Sequence, residues 1–199
     1  MSAGRSGKRS GSGKAARRKR GVGRHVVGLD HVWVRRWQRI RLHACVEAVL
    51  KAFVRMGDGW GWLLMALALA LLFPRDRFLF LAGQGLLAAV FSVPLYWALK
   101  ATFRRTRPHA LFKRIIPRVN PKDEYSFPSG HTMNNLAIGV ALAVHIPWLW
   151  PFALAIPLAT GLLRVLFGVH FVTDIVAGAL LGLTAGFAAV VAYPYLLAW

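Results

Sequence analysis

Cysteine and acidic residues are both scarce in this sequence. The single cysteine, Cys45, has no partner for an internal disulfide, and without clustered histidines around it a zinc site is excluded too. The chain has 7 Asp and Glu against 26 Lys and Arg, which gives a formal net charge of +19. An internal repeat and the period-two alternation of a β-strand are also missing. Disulfide-rich, repeat and β-sheet architectures are therefore disfavoured.

Apolar residues, in contrast, are abundant. They make up 56% of the 199 residues, although the net charge is high. Both properties fit one chain only if charged and apolar residues are segregated, which indicates a membrane protein with basic ends. The sequence predicts a single all-α domain, a polytopic bundle of membrane helices.

Residues 1–32 are predicted to be a basic, disordered tail. The segment 1–24 contains nine Lys or Arg and no acid, and it has no apolar surface to bury. It lacks the apolar core expected of a secretory signal peptide. A nucleic-acid-binding arm is one interpretation. Attraction to anionic lipid headgroups fits better beside membrane spans, so nucleic acid is not the expected partner.

Residues 33–56 are predicted to form one amphipathic helix. Glu47, Lys51 and Arg55 recur every four residues, with apolar residues between them. This charge favours a helix lying in the membrane interface, and a spanning helix is the alternative. The sequence Gly57-Asp58-Gly59 then breaks the pattern. Its aspartate is expected to cap the next helix.

Residues 57–199 contain five apolar stretches that are expected to cross the bilayer. The first is short for a span, and the last three are joined by short turns. A polar, basic loop over residues 100–127 separates the second stretch from the third. The expected spans are Trp60 to Phe73, Phe78 to Leu99, Gly130 to Ile146, Trp148 to Phe167 and Val172 to Leu197.

The sequence Pro128-Ser129-Gly130-His131 opens the third span. Ser129 is a favoured helix N-cap, and Gly130, which has no Cβ, lets a ligand approach the backbone. Unpaired N–H groups and the positive end of the helix dipole make such a turn a site for anions. At its edge, His131 can exchange a proton near neutral pH. This turn is therefore a candidate site for a negatively charged ligand.

Further polar residues converge on the same membrane face. Lys100 and Arg107 follow the second span, and Arg164 lies near the end of the fourth. His170 and Asp174 are four residues apart, so on a helix the carboxylate and the imidazole share one face. An unpaired charge inside a span is costly, which indicates that these residues form a functional cluster.

These residues resemble the motifs of the type 2 phosphatidic acid phosphatase (PAP2) and vanadium haloperoxidase superfamily. The family pattern is Lys, six residues, Arg-Pro; then Pro-Ser-Gly-His; then Ser-Arg, five residues, His, three residues, Asp. The matching positions occur here in order, at Lys100, Arg107-Pro108, Pro128 to His131, Arg164, His170 and Asp174. The departure is Leu163, where the family usually has a phosphate-contacting Ser. The resemblance covers about residues 57–195, so residues 57–199 are interpreted as a PAP2-like domain.

The resemblance implies a role for each matching residue. His170 would attack phosphorus and become a phosphohistidine, with Asp174 holding its tautomer. His131 would protonate the leaving group. The phosphoryl oxygens would be bound by Lys100, Arg107, Ser129, Gly130 and Arg164. Neither a metal nor another cofactor is expected, because protein cations already supply the positive charge.

The expected function is hydrolysis of a lipid phosphomonoester or diphosphate. Phosphatidic acid, phosphatidylglycerophosphate and polyprenyl diphosphate are all allowed as substrates, and so is a lipid-linked sugar phosphate. The alternatives are a lipid phosphotransferase and a non-catalytic lipid-phosphate-binding protein. The resemblance implies a multi-pass protein of the cell membrane whose active site faces outward, which fits a spanning helix over residues 33–56. If that helix lies flat, the basic tail and the site share one face, and the positive-inside rule favours the cytoplasm for both.

Two further groups of polar residues have no motif position. Arg105 and the other basic residues of the loop are interpreted as attracting headgroups or setting topology. Asn135 lies four residues after His131 and either orients that histidine or makes an ordinary bond between helices.

Overall fold

The computed structural model describes residues 28–121 and 123–198, and its regular structure is helical apart from one isolated bridge between Thr106 and Tyr125. A π-helical segment, Met56–Trp60, joins the second helix to the third, and a 3-10 turn, Pro147–Leu149, precedes the seventh. The helices are α1 (28–37), α2 (Ala44–Arg55), α3 (Gly61–Leu72), α4 (Arg75–Phe103), α5 (Pro108–Leu111), α6 (Gly130–Ala143), α7 (Trp150–Leu166) and α8 (Val172–Leu197). The predicted all-α class is confirmed.

Five helices, α3, α4, α6, α7 and α8, run back and forth between the two ends of the bundle. At one end, Leu69 of α3 and Leu81 of α4 pack with Leu142 of α6 and Ala153 of α7. The opposite ends of α4, α6 and α7 carry Lys100, Ser129 and Arg164, and α8 begins there. The motif residues therefore gather at one end of the bundle, because successive helices alternate in direction.

Helix α6 is the centre of the bundle, and eleven of its fourteen residues are buried. It contacts α4, α7 and α8. Small residues on α8 allow the closest of these contacts, since a Cβ added to Gly182 would lie 2.5 Å from the Met133 carbonyl oxygen. Gly178 and Gly186 face Ser129 and Ala137 in the same way, one turn to either side. This stripe of glycines brings the beginning of α8 against the beginning of α6.

The prediction of five full spans is only partly confirmed. Within the described residues, three stretches are long and apolar enough to cross a membrane: Arg75–Phe103, Pro147–Leu166 and Val172–Leu197. Helix α6 has 14 residues and α3 has 12, or about 21 Å and 18 Å at the α-helical rise. A helix enclosed by other helices, as α6 is, does not have to match the bilayer thickness. Helix α3 is instead extended on its N-terminal side by Met56–Trp60 and α2.

The prediction of one helix over residues 33–56 is wrong. Residues 28–37 and Ala44–Arg55 are separate helices, and residues between them bond to other parts of the chain. The Gln38 side chain donates to the Leu166 carbonyl at 2.6 Å, and Arg118 donates to the Ile40 carbonyl at 2.7 Å. These bonds hold the break against the end of α7.

The predicted disordered tail is also too long at its C-terminal end. Helix α1 begins no later than residue 28, and Asp30 within it is buried. Val34 of α1 packs in a core cluster with Val165 and Phe171 at the end where the motifs gather. The remainder of the predicted tail, residues 1–27, lies outside the described residues.

Candidate active site

His170 lies in the short link between α7 and α8. Gly168 has φ 75, a left-handed conformation that favours glycine, and it turns the chain after α7. The backbone N–H of Val169 then donates to the Arg164 carbonyl at 3.1 Å. This turn buries the His170 side chain, which is 2% exposed. The five-residue spacing between Arg164 and His170 is thus the length of one tight turn.

The two ring nitrogens of His170 face groups of opposite charge. Nδ1 lies 3.5 Å from Oδ2 of Asp174, which is longer than an ordinary hydrogen bond but within ion-pair distance. Nε2 lies 3.4 Å from Nη1 of Arg107. Burial lowers the pKa of His170 to about 4; Asp174 opposes this shift, and the charges of Arg107 and Arg164 add to it. The imidazole is therefore neutral at neutral pH, with Nε2 directed at a cation.

Lys100 and Arg107 share one carboxylate, that of Asp123. Lys100 forms an ion pair with Asp123, and Arg107 donates to it at 2.6 Å. The hydroxyl of Tyr96 donates to the other oxygen at 2.8 Å. Burial by itself raises the pKa of Asp123, but the Lys100 hydrogen bond and the Arg107 charge together lower it to about 2. Arg107 also donates to the Val169 carbonyl at 2.7 Å, which fixes the guanidinium beside His170.

Arg164 and His131 share a second carboxylate, that of Asp58. Arg164 donates to Oδ1 of Asp58 at 3.0 Å, and Nε2 of His131 contacts the same oxygen. The side chains of His131 and Asp58 are 17% and 20% exposed, whereas that of His170 is 2% exposed. The site is therefore closed at His170 and accessible at His131.

Asp58 and Asp123 already hold the side chains that are predicted to bind an anion. Each carboxylate bridges two of the residues predicted to bind or protonate a phosphoryl group. Carboxylate and phosphate oxygens accept the same charge-assisted hydrogen bonds from Lys and Arg. A phosphate that enters this site must therefore exchange with these carboxylates or bind between them.

The beginning of α6 differs in two details from the predicted anion turn. The Ser129 N–H donates to the Asp174 carbonyl at 3.0 Å, so it is not available to a phosphate. Ser129 is the N-cap residue, but its hydroxyl pairs with that of Thr132 at 3.1 Å and makes no capping bond. A Cβ on Gly130 would lie 2.5 Å from the Tyr96 ring, so this glycine makes room for Tyr96. The Gly130 N–H remains in the first helical turn, where no intrahelical carbonyl accepts it.

Several residues at the site were missed or misinterpreted from the sequence. Asp58 was expected to cap a helix, and Arg105 was assigned to headgroups, but Arg105 donates to Asp174 at 2.7 Å. The sequence feature that indicates such pairs of acid and base is the scarcity of acids. In an apolar chain with 7 acids and 26 bases, each buried acid is expected to hold a cation. Four acids do so at this end of the bundle: Asp30, Asp58, Asp123 and Asp174.

Asn135 makes a contact between helices. The Trp62 indole N–H donates to Asn135 Oδ1 at 2.7 Å, and Nδ2 of Asn135 donates to the Gly57 carbonyl at 3.4 Å. Leu163, which replaces the family's Ser, packs against the cluster of Val54 and Phe167, so no hydroxyl is present there.

An apolar groove begins beside His131. Gly57 lines the groove, and a Cβ placed on this residue would lie 2.9 Å from the Asn135 side chain and 3.8 Å from the His131 ring. The groove runs between α2, α3, α6 and α7 and has a volume of about 280 Å³. Its large side chains are those of Phe53, Met56, Trp62, Met65, Leu149, Phe152 and Ile156.

Within residues 28–121 and 123–198, no three His, Cys, Asp or Glu side chains are grouped to hold a metal ion.

Comparisons with known proteins agree with the motifs. A decaprenylphosphoryl-5-phosphoribose phosphatase from Mycobacterium tuberculosis is 35% identical over 127 residues, which are 63% of this chain and 68% of that protein. Phosphatidylglycerophosphatase B from Bacillus subtilis is 36% identical over 91 residues, 37% of this chain and 45% of that protein.

Two solved structures share the fold. A transmembrane PAP2 type phosphatidylglycerolphosphate phosphatase from Bacillus subtilis superposes with a TM-score of 0.67 at 27% identity, covering 83% of this chain and 84% of that one. Aquifex aeolicus LpxE gives a TM-score of 0.62 at 26% identity, covering 78% and 91%. The sequence profile of the PAP2 superfamily matches residues 78–198. The chain therefore belongs to the PAP2 superfamily, in its branch of membrane phosphatases that act on lipid phosphate esters.

Proposed function

We propose that this protein hydrolyses a lipid phosphomonoester or diphosphate through a phosphohistidine at His170, without a metal ion. The observation that carries the proposal is the His170 imidazole, neutral and buried, with Asp174 at one nitrogen and Arg107 at the other. A neutral imidazole has a lone pair for attack, and a cation beside that nitrogen attracts a phosphoryl group to it.

In the first step, Nε2 of His170 forms a bond to phosphorus while the bond from phosphorus to the lipid oxygen breaks. His131 donates a proton to that leaving oxygen, and the Asp174 carboxylate stabilises the imidazolium that forms. In the second step, water attacks phosphorus, His131 takes a proton from the water, and the N–P bond breaks. Phosphate leaves and His170 is neutral again.

The phosphoryl oxygens are proposed to bind Lys100, Arg107 and Arg164. All three side chains are buried and already hold carboxylates, so they are positioned before a substrate arrives. The Gly130 N–H adds a donor at the positive end of α6. The Ser129 N–H is left out of this set, because it bonds to the Asp174 carbonyl.

The apolar groove supports a lipid as the leaving group. Gly57 belongs to its lining and lies close to His131, the proposed proton donor, so we place the aliphatic chain of the leaving group in this groove. Phosphatidylglycerophosphate and decaprenylphosphoryl-5-phosphoribose are the substrates in the names of two relatives. We propose the same class for this chain, together with phosphatidic acid and polyprenyl diphosphate.

Transfer of the phosphoryl group to a second lipid is the nearest alternative. It differs only in the acceptor of the second step, and the accessible edge at His131 admits either acceptor. A non-catalytic binding protein is disfavoured, because anion binding alone does not need a neutral histidine paired with Asp174.

We propose a multi-pass location in the cell membrane with the site facing outward, as the resemblance implies. One feature opposes this orientation, because α1 and α2 pack against Val165 and Phe167 at the site's end. Helix α1, which follows the basic segment in the sequence, therefore lies at the end that carries the site, and basic segments favour the cytoplasm. Labelling of Lys113→Cys in intact and permeabilised cells, in a Cys45→Ser background, tests this. Labelling only after permeabilisation would contradict the outward orientation.

The decisive assay for the proposed function is phosphate release from lipid phosphates in detergent micelles containing excess EDTA. We expect turnover without added metal and inhibition by vanadate, which mimics the pentacoordinate phosphoryl group. Activity that disappears on chelation and returns with Mg²⁺ would refute the metal-independent mechanism. If the substrate carries a labelled phosphate, appearance of that label on an added lipid alcohol, instead of in free phosphate, would favour the transferase.

A further inference from the structure

Asp30 is a buried acid in the N-terminal helix α1, outside the residues that match the family profile. One of its oxygens accepts the Thr173 backbone N–H at 3.1 Å, and the other accepts the Thr173 hydroxyl and Nη2 of Arg105, the latter at 2.7 Å. Thr173 lies in the first turn of α8, one residue before Asp174. Asp30 therefore ties α1 to the helix turn that carries the partner of the nucleophile.

Arg105 connects Asp30 to Asp174. Its Nη1 donates to Asp174 Oδ1 at 2.7 Å and to the Thr173 hydroxyl at 2.6 Å, while Nη2 donates to Asp30. Its guanidinium lies over the Phe171 ring, with 4.0 Å from Cζ to the ring centroid. A planar guanidinium held by carboxylates on both sides and by a ring on one face has little freedom to rotate.

Arg105 thereby sets the orientation of the Asp174 carboxylate. Oδ1 accepts from Arg105, so Oδ2 is left to accept the Phe171 N–H at 2.8 Å and to face Nδ1 of His170. Without Arg105, the carboxylate loses one of the bonds that hold its plane, and a buried negative charge loses its cation. The partner of His170 is then less firmly held.

We propose that Asp30 and Arg105 are positioning residues for catalysis, which makes the N-terminal helix part of the catalytic apparatus. Neither side chain contacts His170 in the described contacts, so both act through Asp174. The inference rests on the proposed function, in which Asp174 serves the nucleophile His170.

The test uses the full-length protein in detergent with the variants Asp30→Asn and Arg105→Lys. Asparagine can keep the bond from the Thr173 N–H but lacks the charge and the second acceptor oxygen, and lysine keeps the charge but lacks the planar fork. The rate of phosphoenzyme formation is measured with a ³²P-labelled lipid phosphate and an alkaline quench. We expect each variant to slow this step about 10- to 100-fold, while the affinity for inorganic phosphate, which reports the phosphate-binding cations, changes less than about twofold.

Matched controls are Arg104→Lys and Asp76→Asn. Arg104 is the neighbouring arginine and donates to the Ala101 carbonyl of its own helix, and Asp76 is an exposed acid at the beginning of α4. Both controls should keep the wild-type rate. A variant that loses binding of inorganic phosphate is judged as misfolded, and the other variant then decides.

The sharpest measurement is Arg105→Lys in an Asp174→Asn background. If Arg105 acts only through Asp174, adding Arg105→Lys to Asp174→Asn does not lower the phosphorylation rate further, because the carboxylate that Arg105 orients is already absent. The inference is overturned, and the proposed function is not, if Arg105→Lys lowers the rate as much in the Asp174→Asn background as in the wild type. The same holds if both single variants keep the wild-type rate. Unimpaired phosphorylation of Asp174→Asn would instead overturn the proposed role of Asp174, and with it this inference.

Discussion

The two histidines of the site should be separable by the leaving group of the substrate. His170→Ala removes the proposed nucleophile, so we expect neither turnover nor a covalent phosphoprotein. Phosphate binding should survive, because Lys100, Arg107 and Arg164 keep their positions. The variant should therefore still bind vanadate, although without the bond from vanadium to a histidine nitrogen.

His131→Ala should act differently, since it removes only the proton donor. For an alkoxide leaving group, the loss is expected to be ~10²–10⁴-fold, or about 3–5 kcal/mol of transition-state stabilisation. For p-nitrophenyl phosphate the loss should be much smaller, because p-nitrophenolate leaves without a proton. His145→Ala is the matched control: this histidine lies at the other end of the bundle, where its ring contacts Gln84.

Asp174→Asn is expected to come close to the His170 loss, up to ~10⁴-fold. Arg105 and the Phe171 N–H both donate to this carboxylate, so an amide group in its place must turn its NH₂ toward one of two donors. His170 then loses the partner that selects its tautomer.

The assay combines alkaline-quenched ³²P labelling with turnover of the two substrates for all three variants. Labelling that persists in His170→Ala would refute the assignment of the nucleophile. A His131→Ala defect of equal size for both leaving groups would refute the assignment of the proton donor. Unchanged turnover in His145→Ala is required for either conclusion.

Three further predictions concern pH, the tail and the helix contact. Because burial lowers the pKa of His170 to about 4, kcat/KM corrected for substrate ionisation should not decline between about pH 7 and pH 5. A decline centred near 6.5 would contradict a neutral, buried nucleophile. Deletion of residues 1–24 should leave detergent turnover within about twofold, whereas a large loss would place that segment in the site. Gly182→Ala should lower the detergent Tm by several degrees, since its Cβ would lie 2.5 Å from the Met133 carbonyl oxygen; an unchanged Tm would show that α8 moves freely away from α6.

The sequence alone predicted the helical class, the positions of the apolar stretches and the charged motif residues. These predictions were possible because they depend on short-range information. Val172–Leu197, for example, has the predicted bounds, since a long apolar run between a polar turn and the chain end has only one reasonable helical interpretation. The convergence of Lys100, Arg164 and His170 at one end likewise follows from counting how often the chain crosses the bundle.

Helix lengths and breaks depended on packing. Helix α6 is shorter than predicted and still central, because α4, α7 and α8 enclose it in place of lipid. The break after residue 37 is held by Gln38 and Arg118, whose partners are distant in the sequence. No local pattern in residues 33–56 contains those bonds.

Only the tertiary structure decided which acid meets which base. Asp30 and Arg105 are 75 residues apart, and Asp58 and Arg164 are 106 apart, yet each pair is in direct contact. The motif predicted where the cations of the site lie, because their spacing follows turns and helix ends. The partners of those cations come from segments without a motif, and hydrogen bonds over such separations exist only once the bundle has packed.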